Sequence, residues 1–260
     1  MQIKEKMYHI NLSKNDIKGA KYAILPGDPG RVGTIAKYLD NPQKIAQNRE
    51  YTSYLGKIKG EHVLVISTGI GGPSTAICVE ELKMLGITHL IRIGTSGGMQ
   101  IDVSAGDLVI AQAAIRQEGT SKEYLPIEFP AVADVDIMNA LRESAKELKL
   151  TYHTGVVHCK DSFYGQHSPE RMPVSYELLN KWDAWLKSGA LCSEMETAAL
   201  FTVASTLGLH AGAVLLVIWN QEREKKGLSQ DECFDTDRAI KVAVKATAKL
   251  IEQNKNKLSN

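Results

Sequence analysis

The chain has 260 residues, 43% of them hydrophobic and 23% charged, with a formal net charge of +1. That length buries a sizeable core, as one large α/β domain or two small ones, and the near-neutral balance argues against a nucleic-acid or acidic-membrane surface. No stretch reaches the roughly 20 apolar residues that a bilayer-spanning helix needs, and the opening MQIKEKMYHI lacks the apolar core of a secretory leader. Four scattered cysteines, Cys78, Cys159, Cys192 and Cys233, form neither a CxxC pair nor a zinc spacing. Reduced thiols and a cytoplasmic location are the expectation, with no nucleic-acid or membrane partner.

In chain order, residues 23–25 form a short apolar strand ending at PGDPG. A helix follows over 31–39, with Asp28 as its cap and Pro29 as an acceptable first residue. Residues 63–67 read as a buried strand, TGIGGPST as a turn, and the next segment as a helix up to Gly86. Strands are predicted at 90–93, 107–115, 155–158 and 212–218. Asp134 caps a helix to residue 150, with Ala140, Leu141, Ala145 and Leu148 on its apolar face. A buried helix is predicted over 193–207 and an amphipathic one over 236–253, leaving a polar tail at 254–260. No repeat or linker interrupts this alternation, so residues 1–260 read as one α/β domain.

The residues that carry chemistry fall where open α/β sheets gather ligands, at strand ends. PGDPGR puts Arg31 in a first helical turn, where free N–H groups and the dipole favour an anion. LIRIGTSGG plants Arg92 in an apolar strand, and a buried guanidinium requires an anionic partner. TGIGGPS is either a second anion cradle or a tight turn; it lacks the lysine of a P-loop and the full GxGxxG fingerprint. In SEMETAAL, Glu194 and Glu196 either complement a helix dipole or include a carboxylate that accepts both hydroxyls of a vicinal diol. KDSFYGQHSPER mixes aromatics, a carboxamide and cations, as a heterocycle pocket or an ordinary polar loop would.

Taken in series, NLSKNDIKGA, PGDPGRV, STGIGGPST, RIGTSG, IEFPAVAD, DSFYGQ, EMET and VIWN resemble the nucleoside phosphorylase-I family, closest to its uridine-cleaving members, across nearly the whole chain. The resemblance implies a central mixed β-sheet, partly barrel-like, flanked by helices. It implies reversible phosphorolysis of uridine to uracil and α-D-ribose-1-phosphate, with inorganic phosphate as co-substrate and no organic cofactor. Phosphate would meet Gly27, Arg31, Arg92 and Thr95, with Arg49 arriving from a neighbouring subunit. Ribose would meet Thr95, Met195 and Glu196, with His9 crossing from the neighbour to the 5′-hydroxyl. The base would meet Phe163 and Gln166, and Glu194 would anchor the base-side arginine. A hexamer built as a trimer of dimers follows, with sites shared between subunits. A K+ ion held by Glu50, the Ile70 carbonyl and Ser74 is also implied.

The chain departs from the family pattern near the base. The arginine that relatives place two residues after the glutamine is absent, and Arg171 comes five residues after Gln166. Gln221 follows Asn220, with Arg223 two residues further on. Lys160, Arg171 and Arg223 therefore stay open as the base-side cation, and Lys160 joins Arg92, Glu196 and Gln166 as a catalytic candidate. Purine-cleaving relatives carry an aspartate where Asn220 stands, which favours a pyrimidine here. The competing readings are a purine nucleoside phosphorylase, a water-using nucleosidase, and a non-catalytic nucleoside-binding or storage protein.

Overall fold

The computed structural model describes residues 6–259, so part of the opening stretch judged for a leader lies outside the described residues. The elements in order are β1 (Tyr22–Pro26), α1 (Pro29–Ala36), β2 (Asp40–Asn48), β3 (Tyr51–Ile58), β4 (Glu61–Ile66), α2 (Gly72–Leu85) and β5 (His89–Gly98). Then come β6 (Leu108–Gln117), α3 (Thr120–Tyr124), β7 (Ala131–Val132), α4 (Val135–Glu147), β8 (Tyr152–Lys160) and α5 (Phe163–His167). The chain ends with α6 (Ser175–Lys187), β9 (Cys192–Glu194), α7 (Thr197–Thr206), β10 (His210–Asn220), α8 (Gln221–Lys225) and α9 (Asp237–Ser259).

All strands join one mixed sheet. Strand β5 pairs with β9 on one side and β10 on the other, and β10 returns through β6 and β8 to β9. That circuit closes part of the sheet into a barrel, while β1, β4, β3 and β2 extend from β5 as an open wing. Side chains alternate across a strand, so neighbouring residues serve opposite faces. Ile24, Val63, Val65, Ile91 and Ile93 pack with α1, α4 and α9, whereas Leu25, Leu64, Ile66 and Leu90 pack with α2 and α7. Arg92, two residues beyond Leu90, falls on the α2/α7 side.

The caps foreseen from sequence are present: Asp28 accepts from the Gly30 N–H at 2.8 Å, and Asp134 from the Ile137 N–H at 3.0 Å. Other boundaries moved. Strand β5 runs on to Gly98 because it pairs with β10 along its whole length. Gly94 permits that approach, since a Cβ there would lie 2.6 Å from Leu215 Cδ2. The helix predicted from residue 193 instead begins at Thr197, because Ser193 and Glu194 are captured as a strand between β5 and β8. The polar tail predicted from residue 254 is helical as far as Ser259, and Asn254 donates to the Tyr22 hydroxyl at 2.8 Å. At the opposite end of the sheet from the glycine-rich turns, His89 stacks on His210 at 4.8 Å.

Candidate active site

Arg92 organises the first half of the site. Its side chain is 5% exposed, and its Nε donates to Glu194 at 3.2 Å while Nη2 donates to Glu196. Burial opposes the Arg92 charge, but Glu196 and Glu194 outweigh that and raise its pKa. Nη1 is buried without a partner. Gly27 borders that nitrogen: a Cβ there would stand 3.8 Å from Nη1 and 3.1 Å from the Gly69 carbonyl. Arg31 projects from the first turn of α1 with Nε 3.7 Å from Asp28, half-buried. Burial lowers its pKa, Asp28 opposes that, and the nearby Arg92 charge lowers it further. The buried Arg92 guanidinium with its orphaned Nη1, the half-buried guanidinium of Arg31 and the side-chain-free backbone at Gly27 form a cradle suited to an anion.

Glu196 stands where α7 begins, 6% exposed. One oxygen accepts from the Gly71 N–H at 2.7 Å and the other from Arg92. Burial raises its pKa, and Glu194 adds to that against the pull of Arg92. Glu194 does not anchor a base-side arginine: it holds Arg92 and accepts the N–H groups of Glu196 and Thr197 at the start of α7. Met195 lies between the two acids, and Thr95 is half-buried in β5.

A cavity of about 440 Å³ forms the second half, between β8, α5, α6 and α8. Lys160 and Gln166 line it. Ser193 Oγ is the shared centre, 2.9 Å from Lys160 Nζ, 2.9 Å from His158 Nδ1 and 2.7 Å from the Gln166 amide. Burial lowers the Lys160 pKa, partly offset by Glu194, and pushes His158 down to about 3, helped by Lys160. Phe163 sits on the exposed side of α5, with its ring 4.3 Å from that of His167 on the cavity wall.

The two distal arginines are not brought to this wall. Arg171 lies over the Tyr164 ring at 5.3 Å, and Arg223 donates to the carbonyls of Ile101 and Ser229. Asn220 is fully buried and committed: it donates to Gln100 and Val103 and accepts from Glu222 and Arg223. Sequence reasoning missed Ser193, His158, Gln117, Trp182 and Trp185. The i, i+3 spacing of the two tryptophans was the available signal, since it places both indoles on one helix face.

His9 and Arg49 meet on a separate patch. Glu81 accepts from the His9 and Ile10 N–H groups and lies 2.7 Å from His9 Nδ1. Asn48 donates to the His9 carbonyl, and exposed Arg49, at the tip of the β2–β3 hairpin, lies 5.8 Å over the Tyr8 ring. Next to it, Ser74 in the first turn of α2 donates to Glu50 at 2.7 Å, and exposed Ile70 lies in the turn that leads into that helix. All four cysteines are free, and burial raises the thiol pKa of Cys78, Cys159 and Cys192, so these three are not nucleophiles at neutral pH. No helix among the described residues is long and apolar enough to cross a membrane.

Strand β9 links the cradle to the cavity, since Glu194 holds Arg92 while neighbouring Ser193 meets Lys160 and Gln166, and that layout suits an enzyme that brings an oxyanion to an organic substrate. The sequence profile of the phosphorylase superfamily matches residues 21–253, and the chain belongs to that superfamily. It is 54% identical over 247 residues to the uridine phosphorylase of Treponema pallidum (strain Nichols), with 95% of each chain covered. It is 40% identical over 251 residues to the uridine phosphorylase of Escherichia coli (strain K12), covering 95% of this chain and 99% of that one. It is also 36% identical over 252 residues to the guanosine phosphorylase of Halorubrum lacusprofundi, covering 94% and 99%.

Proposed function

We propose that this protein catalyses the reversible phosphorolysis of uridine to uracil and α-D-ribose-1-phosphate, as a pentosyltransferase of pyrimidine salvage. The observation that carries the reading is the orphaned Arg92 Nη1 beside Gly27 and Arg31. Phosphate fills it, with Thr95 closing the cradle and Arg49 supplied by a neighbouring chain. Ribose lies against Met195, and its 2′- and 3′-hydroxyls donate to Glu196. An acceptor-only group suits a diol.

A phosphate oxygen attacks C1′ as the C1′–N1 bond breaks, and the bonding pair leaves on the pyrimidine. The proton released by phosphate ends on uracil. No protein nucleophile is needed; catalysis comes from holding phosphate and ribose in line and from stabilising charge on the leaving base. Lys160, already at the cavity wall, is the cation for that charge, which relieves Arg171 and Arg223 of the role. Gln166 reads the base edge, Phe163 covers its face, and Glu194 keeps Arg92 oriented. Asn220 carries no acidic proton for a purine, and its amide N–H groups are held by Gln100 and Val103.

His9 is partly buried against Tyr8, Asn48 and Glu81, and exposed Arg49 lies over the same Tyr8 ring and beside Glu50. Both complete the site of a neighbouring chain, in a hexamer built as a trimer of dimers. Glu50, Ser74 and the Ile70 carbonyl offer an all-oxygen set that fits K+, and the Ser74 hydrogen bond lowers the Glu50 pKa, keeping it ionised. Free cysteines suit a cytoplasmic setting.

The test is uridine loss followed by ultraviolet absorbance with and without phosphate, with inosine alongside. Phosphate-dependent loss of uridine alone is expected. Cleavage without phosphate would make the protein a nucleosidase, cleavage of inosine would overturn the base assignment, and binding without turnover would leave a storage protein.

A further inference from the structure

Five polar side chains, four of them on the cavity wall, form a chain in which each donor and acceptor can be counted. The indole Nε1–H of Trp185 can only donate, and it meets Gln117 Oε1 at 2.7 Å. The same oxygen lies 2.9 Å from His158 Nε2. An amide oxygen only accepts, so His158 carries its proton on Nε2. The ring is 3% exposed, and burial together with the Lys160 charge holds its pKa near 3, so there is no second proton and Nδ1 is bare. Nδ1 lies 2.9 Å from Ser193 Oγ, which must therefore donate its single proton there.

Ser193 has two lone pairs left and two neighbours. Lys160 Nζ donates into one at 2.9 Å. The other faces the Gln166 amide at 2.7 Å. With the amide oxygen at that contact, Ser193 would need a second proton. The amide nitrogen satisfies every partner, and a side-chain amide is oriented by its hydrogen-bond network. Gln166 then turns its oxygen away from Ser193, towards Gln221, whose amide lies 3.3 Å away and can rotate to match. Glu222, which Gln221 would release, keeps Trp182 at 2.9 Å and Lys225 at 2.8 Å.

We propose that Trp185, Gln117, His158 and Ser193 are positioning residues that lock the Gln166 amide with its oxygen towards the cavity, so that the pocket selects a base presenting a ring N–H beside a carbonyl. This deepens the uridine reading and rests on it. Uracil N3–H donates to the Gln166 oxygen, and the second amide proton donates to the adjacent carbonyl. Cytosine has a bare N3 and is refused. A site built around such pairing rejects the mispaired analogue strongly, because its own buried groups are left unpaired.

The relay is tested directly by long-range proton–nitrogen correlation spectra of nitrogen-15-labelled protein. His158 should be the neutral Nε2–H tautomer from pH 8 to pH 5; an Nδ1–H tautomer or an imidazolium overturns the proposal, whatever the protein's substrate. The functional arm is the ratio of kcat/KM for uridine to that for cytidine. Trp185→Phe removes the donor that starts the chain, and Ser193→Ala removes its last link. Each should lower the ratio at least tenfold and leave the KM for phosphate unchanged, while Ser193→Thr, which keeps the hydroxyl, retains it. Gln117→Glu should place a second proton on His158, reverse the chain and lower the ratio as well. A merely structural role would lower thermal stability with the ratio intact, and that result in Trp185→Phe and Ser193→Ala refutes the relay. If wild-type protein does not cleave uridine with phosphate, the functional reading falls and the tautomer alone decides the relay.

Discussion

Replacing Arg92 by lysine keeps one positive charge in the core and removes the fork. In the native site the guanidinium reaches in three directions: Nε to Glu194 at 3.2 Å, Nη2 to Glu196, and Nη1 to the anion cradle. A lysine ammonium concentrates its three donors on one atom and cannot span both carboxylates and a phosphate. The charge–charge demand of the two buried acids will hold it between them, so the phosphate loses one charge-assisted hydrogen bond. Such a bond is worth about 1.5–3 kcal/mol, which corresponds to roughly a 10- to 150-fold rise in the KM for phosphate. The fit to the acids is also poorer, and about 1–3 kcal/mol of stability should go with it, a loss of a few degrees in Tm for a chain of this size. Initial rates of uridine loss over a phosphate titration read the first quantity, and thermal unfolding reads the second. An Arg92→Lys enzyme that destabilises as expected but keeps its KM for phosphate would refute the assignment of Nη1 to the anion.

Gly27→Ala places a methyl 3.1 Å from the Gly69 carbonyl and 3.8 Å from Arg92 Nη1; it should raise the KM for phosphate about tenfold with little change in the KM for uridine, and equal effects on both would contradict the cradle. Glu81→Gln weakens the hold on the His9 ring, whose Nδ1 lies 2.7 Å from the carboxylate, so the KM for uridine should rise several-fold while that for 5′-deoxyuridine stays put; a parallel rise in both would remove His9 from the 5′-hydroxyl. Burial lowers the pKa of His158 to about 3 and of His89 to about 4, so the unfolded chain binds these protons first as pH falls below about 6.5. Stability should therefore drop between pH 7 and pH 4 by on the order of 3–5 kcal/mol, allowing for solvent at His89, and a flat urea midpoint across that window would refute the two neutral buried rings. Light scattering should give six chains per particle, and a fully active monomer would disprove the shared site.

The α/β alternation, the capped starts of α1 and α4, and the apolar strands at the centre of the sheet were legible because each rests on local chemistry: Asp28 and Asp134 cap their own helices, and runs such as 63–67 are apolar enough to be buried wherever they go. Arg92 was legible for the same reason, since a guanidinium in an apolar strand demands an anion in any fold. The other features depended on partners far away in sequence. The exposed, non-alternating β2 is a strand only because β3 pairs with it, and Glu194 left its expected helix because β5 and β8 capture β9 from either side. Lys160, Gln166, Ser193 and Trp185 come from four separate elements, and no local pattern joins them. Which cation faces the cavity, and that both carboxylates hold Arg92, were decided by the closure of the barrel, because only that closure sets distances between residues with no sequence relation to one another.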